Sequence, residues 1–180
     1  VIVSDTVSGK ATASQLANCL ESLSTQRAAQ EEVPSMEILV PHYTVVEGLD
    51  AVKRRFPDVR FLAVDDLKTY TGLPGNREHH DELRARGLAE ASGEIIALLE
   101  DHARVDPQWC ARISHAHRQA YAVIGGAIEN GLDLPLNWAV YFCDFFRYQN
   151  PLPEGPSGFA SDANSSYKRS ALESIRPIWQ

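Results

Sequence analysis

The sequence predicts an α/β fold with a mostly parallel central sheet and helices on both faces, on three observations. Short β-branched or apolar runs alternate with stretches of helical spacing along nearly the whole chain. One run, Glu94-Ile95-Ile96-Ala97-Leu98-Leu99, holds two Ile and no Gly or Pro, and so reads as a buried parallel strand. That run ends abruptly on Glu100-Asp101-His102, two carboxylates and an imidazole. In an open α/β sheet this is the edge where ligands sit.

Each element follows from local pattern. Val1-Ile2-Val3 is a short strand, and Leu16, Cys19, Leu20 and Leu23 recur at helical spacing from about Ser14 to Arg27. Met36 to Val40 reads as a second strand stopped by Pro41. Leu49, Val52 and Phe56 mark a short helix closed by Pro57, and Val59 to Val64 a third strand. A polar turn with Gly72, Pro74 and Gly75 precedes a helix from Arg77 to Ser92, with Gly93 in the C-cap role. After the strand to Leu99, Asp106-Pro107 starts a helix running to about Gln119. Ala122 to Ile128 is the fifth strand. The aromatic-rich stretch from Leu136 to Tyr148 is expected to pack the core, with an acceptor platform as the sharper alternative. Asn150 to Ser161, rich in Pro and Gly, reads as one mobile loop that closes over a ligand.

Composition bounds the function. The chain has 180 residues, 44% hydrophobic and 23% charged, which suits one globular domain over residues 1–180. With 24 acidic and 17 basic residues the net charge is −7, and no basic stripe stands out, so broad binding to a nucleic-acid backbone is disfavoured. Cys19, Cys110 and Cys143 are widely spaced, which argues for free thiols in a reducing compartment rather than disulfides or a zinc site. No apolar run reaches the roughly 18 residues of a membrane span. The expected location is cytoplasmic, or peripheral to a membrane. The chain starts at Val1 without Met and ends on Pro177-Ile178-Trp179-Gln180, unlike a finished polar tail, so it reads as a piece truncated at its C-terminus.

The strand-end residues suggest chemistry. Asp101 offers hard oxygen ligands suited to Mg²⁺ or Mn²⁺. His102 is a candidate second ligand, and a mixed site of that kind suits Mn²⁺ better; otherwise it is a neutral imidazole bonded to the loop. Glu100 is expected to face away from Asp101, because side chains alternate along a strand, and to orient an Arg or the bound ligand. Asp65 and Asp66 end the third strand at the same edge, where they contact the ligand (base or ribose, should it be a nucleotide) or cap the turn. Other matches are weaker. Ser8-Gly9-Lys10-Ala11 lacks the upstream Gly and following Ser/Thr of a phosphate loop. His79-His80 is expected at the surface, and His115 and His117, two apart, diverge on their helix.

A family resemblance joins these pieces. The segments "QLANCLESLSTQ", "MEILV", "ELRARGLAEASGEIIALLEDH", "DPQW" and "VIGGAI", taken in order, resemble a family 2 glycosyltransferase from Val1 to about Ile175. In that family a helix ending Gly-Leu-x-x-Ala-x-Gly-Glu precedes the strand that carries an acidic metal motif, here the variant Glu100-Asp101-His102. "ASDANSSYKRSAL" looks like the segment where a small-residue loop and an Asn, here Asn164, precede a strand and a Lys/Arg helix start. The resemblance implies a GT-A-type nucleotide-binding fold and transfer of a sugar from a nucleotide-diphosphate donor, with Mn²⁺ or Mg²⁺ assisting. It places Arg84 on the helix facing the nucleotide, where Arg can pair with phosphate; otherwise Arg84 is a solvated helix charge.

The chain also departs from the family. Strand two runs into Pro41-His42-Tyr43-Thr44 where an Asp-rich turn is expected, so His42 or Tyr43 is left to stack on the base. At the first strand Ser4-Asp5-Thr6 stands in, with Asp5 available to the nucleotide. The family's general base lies after the "YKR" segment, which leaves Asp162 or Glu173, or residues further on. The expected activity is that of a glycosyltransferase toward a glycan, lipid-linked or protein acceptor, as in cell wall or polysaccharide synthesis. The alternatives are a non-catalytic nucleotide-sugar or glycan-binding relic of the same fold and, more distantly, a nucleotidyltransferase.

Overall fold

The computed structural model describes residues 1–4, 13–28, 35–43, 46–69 and 78–180. Among them β1 (Ile2–Val3), α1 (Ala13–Ala28), β2 (Leu39–Tyr43), α2 (Leu49–Arg55), β3 (Arg60–Val64), α3 (Glu78–Glu90), β4 (Ile95–Glu100), α4 (Trp109–Ala116) and β5 (Val123–Gly125) alternate as the sequence predicts. They are followed by α5 (Pro135–Asp144), a single 3-10 turn at Phe146–Tyr148, β6 (Asn164–Lys168), α6 (Arg169–Ser174) and α7 (Arg176–Trp179).

The strands pair in the order β1-β4-β6-β5, and β2-β3 forms a second ladder. Among the described residues a parallel bridge between Ser4 and His42 joins the two, so one mixed sheet runs β3-β2-β1-β4-β6-β5. β6 alone runs antiparallel, to β4 and to β5. The C-terminal ends of β1, β2, β3 and β4 and the start of β6 therefore share one edge.

Side-chain alternation splits the core between the two faces. Ile2, Val40 and Leu99 pack under α1 and α2 with Leu16, Cys19, Leu20, Leu23 and Val52. On the other face Leu39, Ile96 and Leu98 meet Leu88 of α3 and Leu172 of α6, and Val3 and Val64 meet Leu83.

Four expectations change. β2 does not stop at Pro41 but continues through it to Tyr43. Pro41 turns its carbonyl toward β1, where Ser4 N–H binds it at 3.1 Å. Its missing N–H faces that same seam, and the ladder to β3 continues through it. Second, α3 ends at Glu90, and Gly93 does not cap it in a left-handed conformation. The backbone N–H groups of Ser92 and Gly93 are instead taken by the Glu37 carboxylate, 3.0 Å from Gly93. Third, α4 is shorter than expected, Trp109–Ala116, although Asp106 Oδ1 accepts from the N–H of Gln108 at 2.8 Å, the bond expected of a residue that caps the helix start. Finally, α5 does not pack the core: Tyr141 is its one buried residue.

The three cysteines are free. Among the described residues no helix is long and apolar enough to cross a membrane.

Candidate functional site

The apolar run of β4 stops where its backbone leaves the sheet, and the next three side chains collect there. Asp101 is buried, 4% exposed, and its Oδ2 has no hydrogen-bond partner. His102 reaches back to both carboxylates, with Nδ1 3.2 Å from Asp101 Oδ1 and Nε2 3.1 Å from Glu100 Oε2. Glu100 is thus not turned away from Asp101. β4 ends at Glu100, so strand alternation no longer governs Asp101, and one imidazole spans the pair. Hydrogen bonds first to Asp101 and then to Glu100 push the His102 pKa up to about 10. At neutral pH the ring is an imidazolium donating from both nitrogens, rather than the neutral imidazole expected.

Arg84 comes to the same place from α3. Its side chain is 12% exposed, so it is not a solvated helix charge. Nη1 lies 2.8 Å from Asp162 Oδ2 and 3.8 Å from Asp81 Oδ1, and Nη2 lies 4.0 Å from Glu100 Oε1. Nη2 is buried and makes no hydrogen bond. The cluster therefore holds two unmet buried groups of opposite character, a carboxylate oxygen and a guanidinium N–H. Each costs free energy until something binds it.

Five residues chosen separately from the sequence, Arg84, Glu100, Asp101, His102 and Asp162, are thus assembled at one edge. Asn164 begins β6 beside them, opposite Leu99. Its amide is fully engaged: Oδ1 accepts from Trp109 Nε1 at 3.0 Å, and Nδ2 donates to Ala127 O at 2.9 Å. Gly126 allows this approach, since a Cβ there would collide with the Asn164 amide. Asp65 and Asp66 follow β3 on the surface, and Asp66 Oδ2 pairs with Arg86 Nη2 at 2.8 Å. That bond, first, holds the Asp66 carboxyl below its ordinary pKa.

Other expected residues lie elsewhere. Glu173 is on α6, which starts where Lys168 pairs with Ile95 at the opposite end of β4, and its carboxylate faces Arg176 at 3.3 Å. His42 is 1% exposed and cannot stack on a base from the surface. Its Nδ1 lies 2.7 Å from Tyr43 O, and burial lowers its pKa. His79 is buried and not at the surface, because the face of α3 that carries it and Leu83 turns inward. Asp5 and the Ser8-Gly9-Lys10-Ala11 stretch lie outside the described residues. The sequence reading missed the Trp109–Asn164–Gly126 contact; the "DPQW" segment and the Gly-Gly pair were its only local traces.

Among the described residues no group of three or more His, Cys, Asp or Glu could hold a metal ion alone. The free Asp101 Oδ2 fits one hard-oxygen position. Mg²⁺-like ions often take one or two carboxylates and fill the remainder with phosphate and water, so this donor set is compatible. Both His102 nitrogens are occupied, and the ring would have to release a carboxylate to act as a ligand. A cleft of about 740 Å³, lined by Leu23, Met36, Ile96, Trp109 and Ile113, contains none of the clustered residues.

Comparison with known proteins decides the family. The family model described as Glycosyl transferase family 2 matches residues 65–176, more than half of the chain and all five clustered residues. The chain belongs to glycosyl transferase family 2. No curated protein matches it.

Solved structures show that this family 2 chain has the GT-A fold. It is similar to a mannosyltransferase, PcManGT, from Pyrobaculum calidifontis in complex with GDP-Man and Mn²⁺, with TM-score 0.62, 15% identity, and coverage of 97% of this chain and 45% of that one. It is similar to S. aureus TarS 1-349, with TM-score 0.63, 12% identity, and coverage of 97% and 48%. A third is glucosyl-3-phosphoglycerate synthase from Mycobacterium tuberculosis with Mn²⁺, UDP and phosphoglyceric acid, with TM-score 0.53, 13% identity, and coverage of 94% and 55%. The chain spans about half the length of these structures.

Proposed function

We propose that this chain binds a nucleotide-diphosphate sugar at the C-terminal edge of β4 and transfers the sugar to an acceptor. One observation carries the reading: a buried carboxylate oxygen of Asp101 and a buried guanidinium nitrogen of Arg84, both without hydrogen-bond partners, stand at the same strand end. A diphosphate with a divalent counter-ion satisfies both. Its oxygens accept from Arg84 Nη2, and its positive partner meets Asp101 Oδ2.

The roles follow from position. Asp101 anchors the donor. Mn²⁺ or Mg²⁺, when bound, supplies Lewis-acid stabilisation of the diphosphate leaving group. Arg84 adds a charge-assisted hydrogen bond from Nη2 to the same charge, and Glu100 holds the Arg84 guanidinium and the His102 ring in place. Asp162, more than half exposed beside the cluster, is the carboxylate positioned to meet an acceptor hydroxyl. In an inverting transfer it takes the hydroxyl proton as the acceptor oxygen bonds to the anomeric carbon, the bond from that carbon to the diphosphate breaks, and nucleoside diphosphate leaves. Asn164 fixes Trp109 and the backbone after β5 along the rim. The relatives crystallised with GDP-Man and with UDP, each with Mn²⁺, support this donor class.

A second reading, donor binding without transfer, is favoured by the 2.8 Å contact that ties Asp162 to Arg84. The test supplies UDP, GDP, dTDP and CDP sugars with Mn²⁺ and measures released nucleoside diphosphate alongside thermal shift. Release supports transfer or donor hydrolysis, and a sugar-bearing product separates the two. Stabilisation of about 2.7 kcal/mol at 100 times the dissociation constant, without release, supports the binding-only reading. Pyrophosphate release would point to nucleotidyl transfer instead.

A further inference from the structure

The opposite end of β4 from Asp101 carries a second polar cleft. It holds about 600 Å³ and lies between the last turn of α4, the end of β6 and the start of α6. His117, Arg118, Lys168 and Arg169 line it, together with Glu94 and Glu173. Lys168 pairs with Ile95, and at about 3.3 Å per residue that register lies roughly 17 Å from Glu100 along the strand. None of the five residues clustered at Asp101 lines this cleft.

His117 gives the cleft an unmet group. It closes α4 and is 7% exposed. Its Nε2 lies 2.9 Å from Oγ of Ser166, a β6 residue outside the lining, while its Nδ1 is buried and has no hydrogen-bond partner. Burial first, then the charge of Lys168, lowers the His117 pKa, so at neutral pH the ring carries a single N–H. Ser166 has one hydroxyl proton and two acceptors in reach, Nε2 at 2.9 Å and Ile124 O at 3.4 Å. The shorter contact takes it, which leaves the ring proton on Nδ1. A buried N–H without an acceptor costs free energy until an oxygen reaches it.

The cations beside this N–H keep their charge. Lys168 Nζ donates to Gln119 O at 2.6 Å, and Arg169 Nε donates to Gly93 O at 2.9 Å. These carbonyls fix the two side chains without neutralising them. Arg118 is exposed, and among the described residues it forms no ion pair. Of the two carboxylates, Glu173 faces Arg176 at 3.3 Å, and Glu94 is exposed to water. A chain of net charge −7 thus gathers three cations and an unmet N–H donor at one cleft.

We infer that this cleft is a phosphate site separate from the donor edge, taking a phosphate group, free or on a small carrier, with one oxygen on His117 Nδ1. The donors come from three elements, α4, β6 and α6, which suits the outward oxygens of a tetrahedral phosphate better than the two of a planar carboxylate. The volume falls within the roughly 300–1,000 Å³ of small-molecule sites, so a carrier fits beside the phosphate.

The probes are inorganic phosphate and glucose 6-phosphate, titrated at constant ionic strength while the ring nitrogens of His117 are followed by NMR. Both should shift Nδ1 saturably. Tighter binding of glucose 6-phosphate assigns a monoester, and equal binding assigns free phosphate. Arg118→Ala, at an exposed position, should keep the fold and weaken binding roughly 10-fold or more. His117→Phe should weaken it in the same direction, and Arg118→Ala decides if that buried substitution unfolds the chain. Arg84→Met, which disables the donor edge, should leave phosphate affinity unchanged. Binding that Arg84→Met abolishes places the anion at the donor edge and overturns the proposal. So does a His117 signal that phosphate leaves unmoved, an affinity that Arg118→Ala does not change, or a shift that sodium chloride reproduces.

Discussion

Replacing Arg84 with Met keeps most of the aliphatic stem and removes the guanidinium that ties α3 to the segment before β6. The structure sets the scale. Arg84 is 12% exposed and Asp162 is 59% exposed, at 2.8 Å. The contact falls between an exposed pair, worth about 0.2–1 kcal/mol, and a buried one, worth about 3–5 kcal/mol when broken. Water can rehydrate Asp162, while Glu100 keeps His102 as its partner at 3.1 Å. The expected loss is about 1–2 kcal/mol, which for a chain of this size lowers Tm by roughly 2–8 °C. A cycle with Asp162→Ala should give a coupling of about 1 kcal/mol in urea denaturation. Donor affinity should fall by more than stability does, because the unmet Nη2 is lost along with the ion pair. Zero coupling, or a folded Arg84→Met protein with unchanged donor affinity, would refute the reasoning.

Three further outcomes follow. Gly126→Ala places a methyl group against the held Asn164 amide, about 2.9 Å from its Cγ, and should cost about 1–3 kcal/mol by thermal denaturation, a penalty that shrinks in an Asn164→Ala background. Burial, then the charge of Asp101, pushes the Cys19 thiol up to about 12. Above about pH 9 the unfolded chain loses this proton while the native protein keeps it, so stability should fall by about 1.4 kcal/mol per pH unit toward 12, and Cys19→Ala should remove that increment of the slope. Limited proteolysis should cut first between Asn150 and Ser161, where Pro and Gly leave few backbone hydrogen bonds, and saturating donor with Mn²⁺ should slow that cut.

How much the sequence disclosed depended on the range of the interaction involved. α1 was legible because Leu16, Cys19, Leu20 and Leu23 repeat at helical period, and all four are buried at 3% exposure or less. The strand ending in Glu100-Asp101 was legible because an apolar run and a sudden charge are both local. The end of α3 was not, since Glu37, from another part of the chain, accepts from the Ser92 and Gly93 N–H groups that a C-cap would have turned to the helix's last carbonyls. Pro41 misled because a proline stops a strand only if its missing N–H is needed, and here that position faces β1 while the ladder to β3 runs on through it. The aromatics of α5 misled in the opposite sense. Composition identified an apolar helix and could not say that, among the described residues, most of it lies exposed. At the site the residue types were readable one by one. Their convergence was not, because Arg84 and Asp162 are 78 residues apart and only the antiparallel return of β6 brings them together.

The central claim is that Asp101 anchors a nucleotide-diphosphate donor at the end of β4. Isothermal titration of the best donor found in the nucleotide-sugar panel, with and without Mn²⁺, against the natural chain and Asp101→Asn tests it most directly. The account predicts Mn²⁺-dependent binding to the natural chain. For Asp101→Asn it predicts a loss of affinity on the order of 10- to 100-fold, as expected when a charged hydrogen-bonding or ligating group worth about 1.5–3 kcal/mol is removed, with the fold intact by circular dichroism. Equal, Mn²⁺-dependent affinity in the two proteins would contradict it.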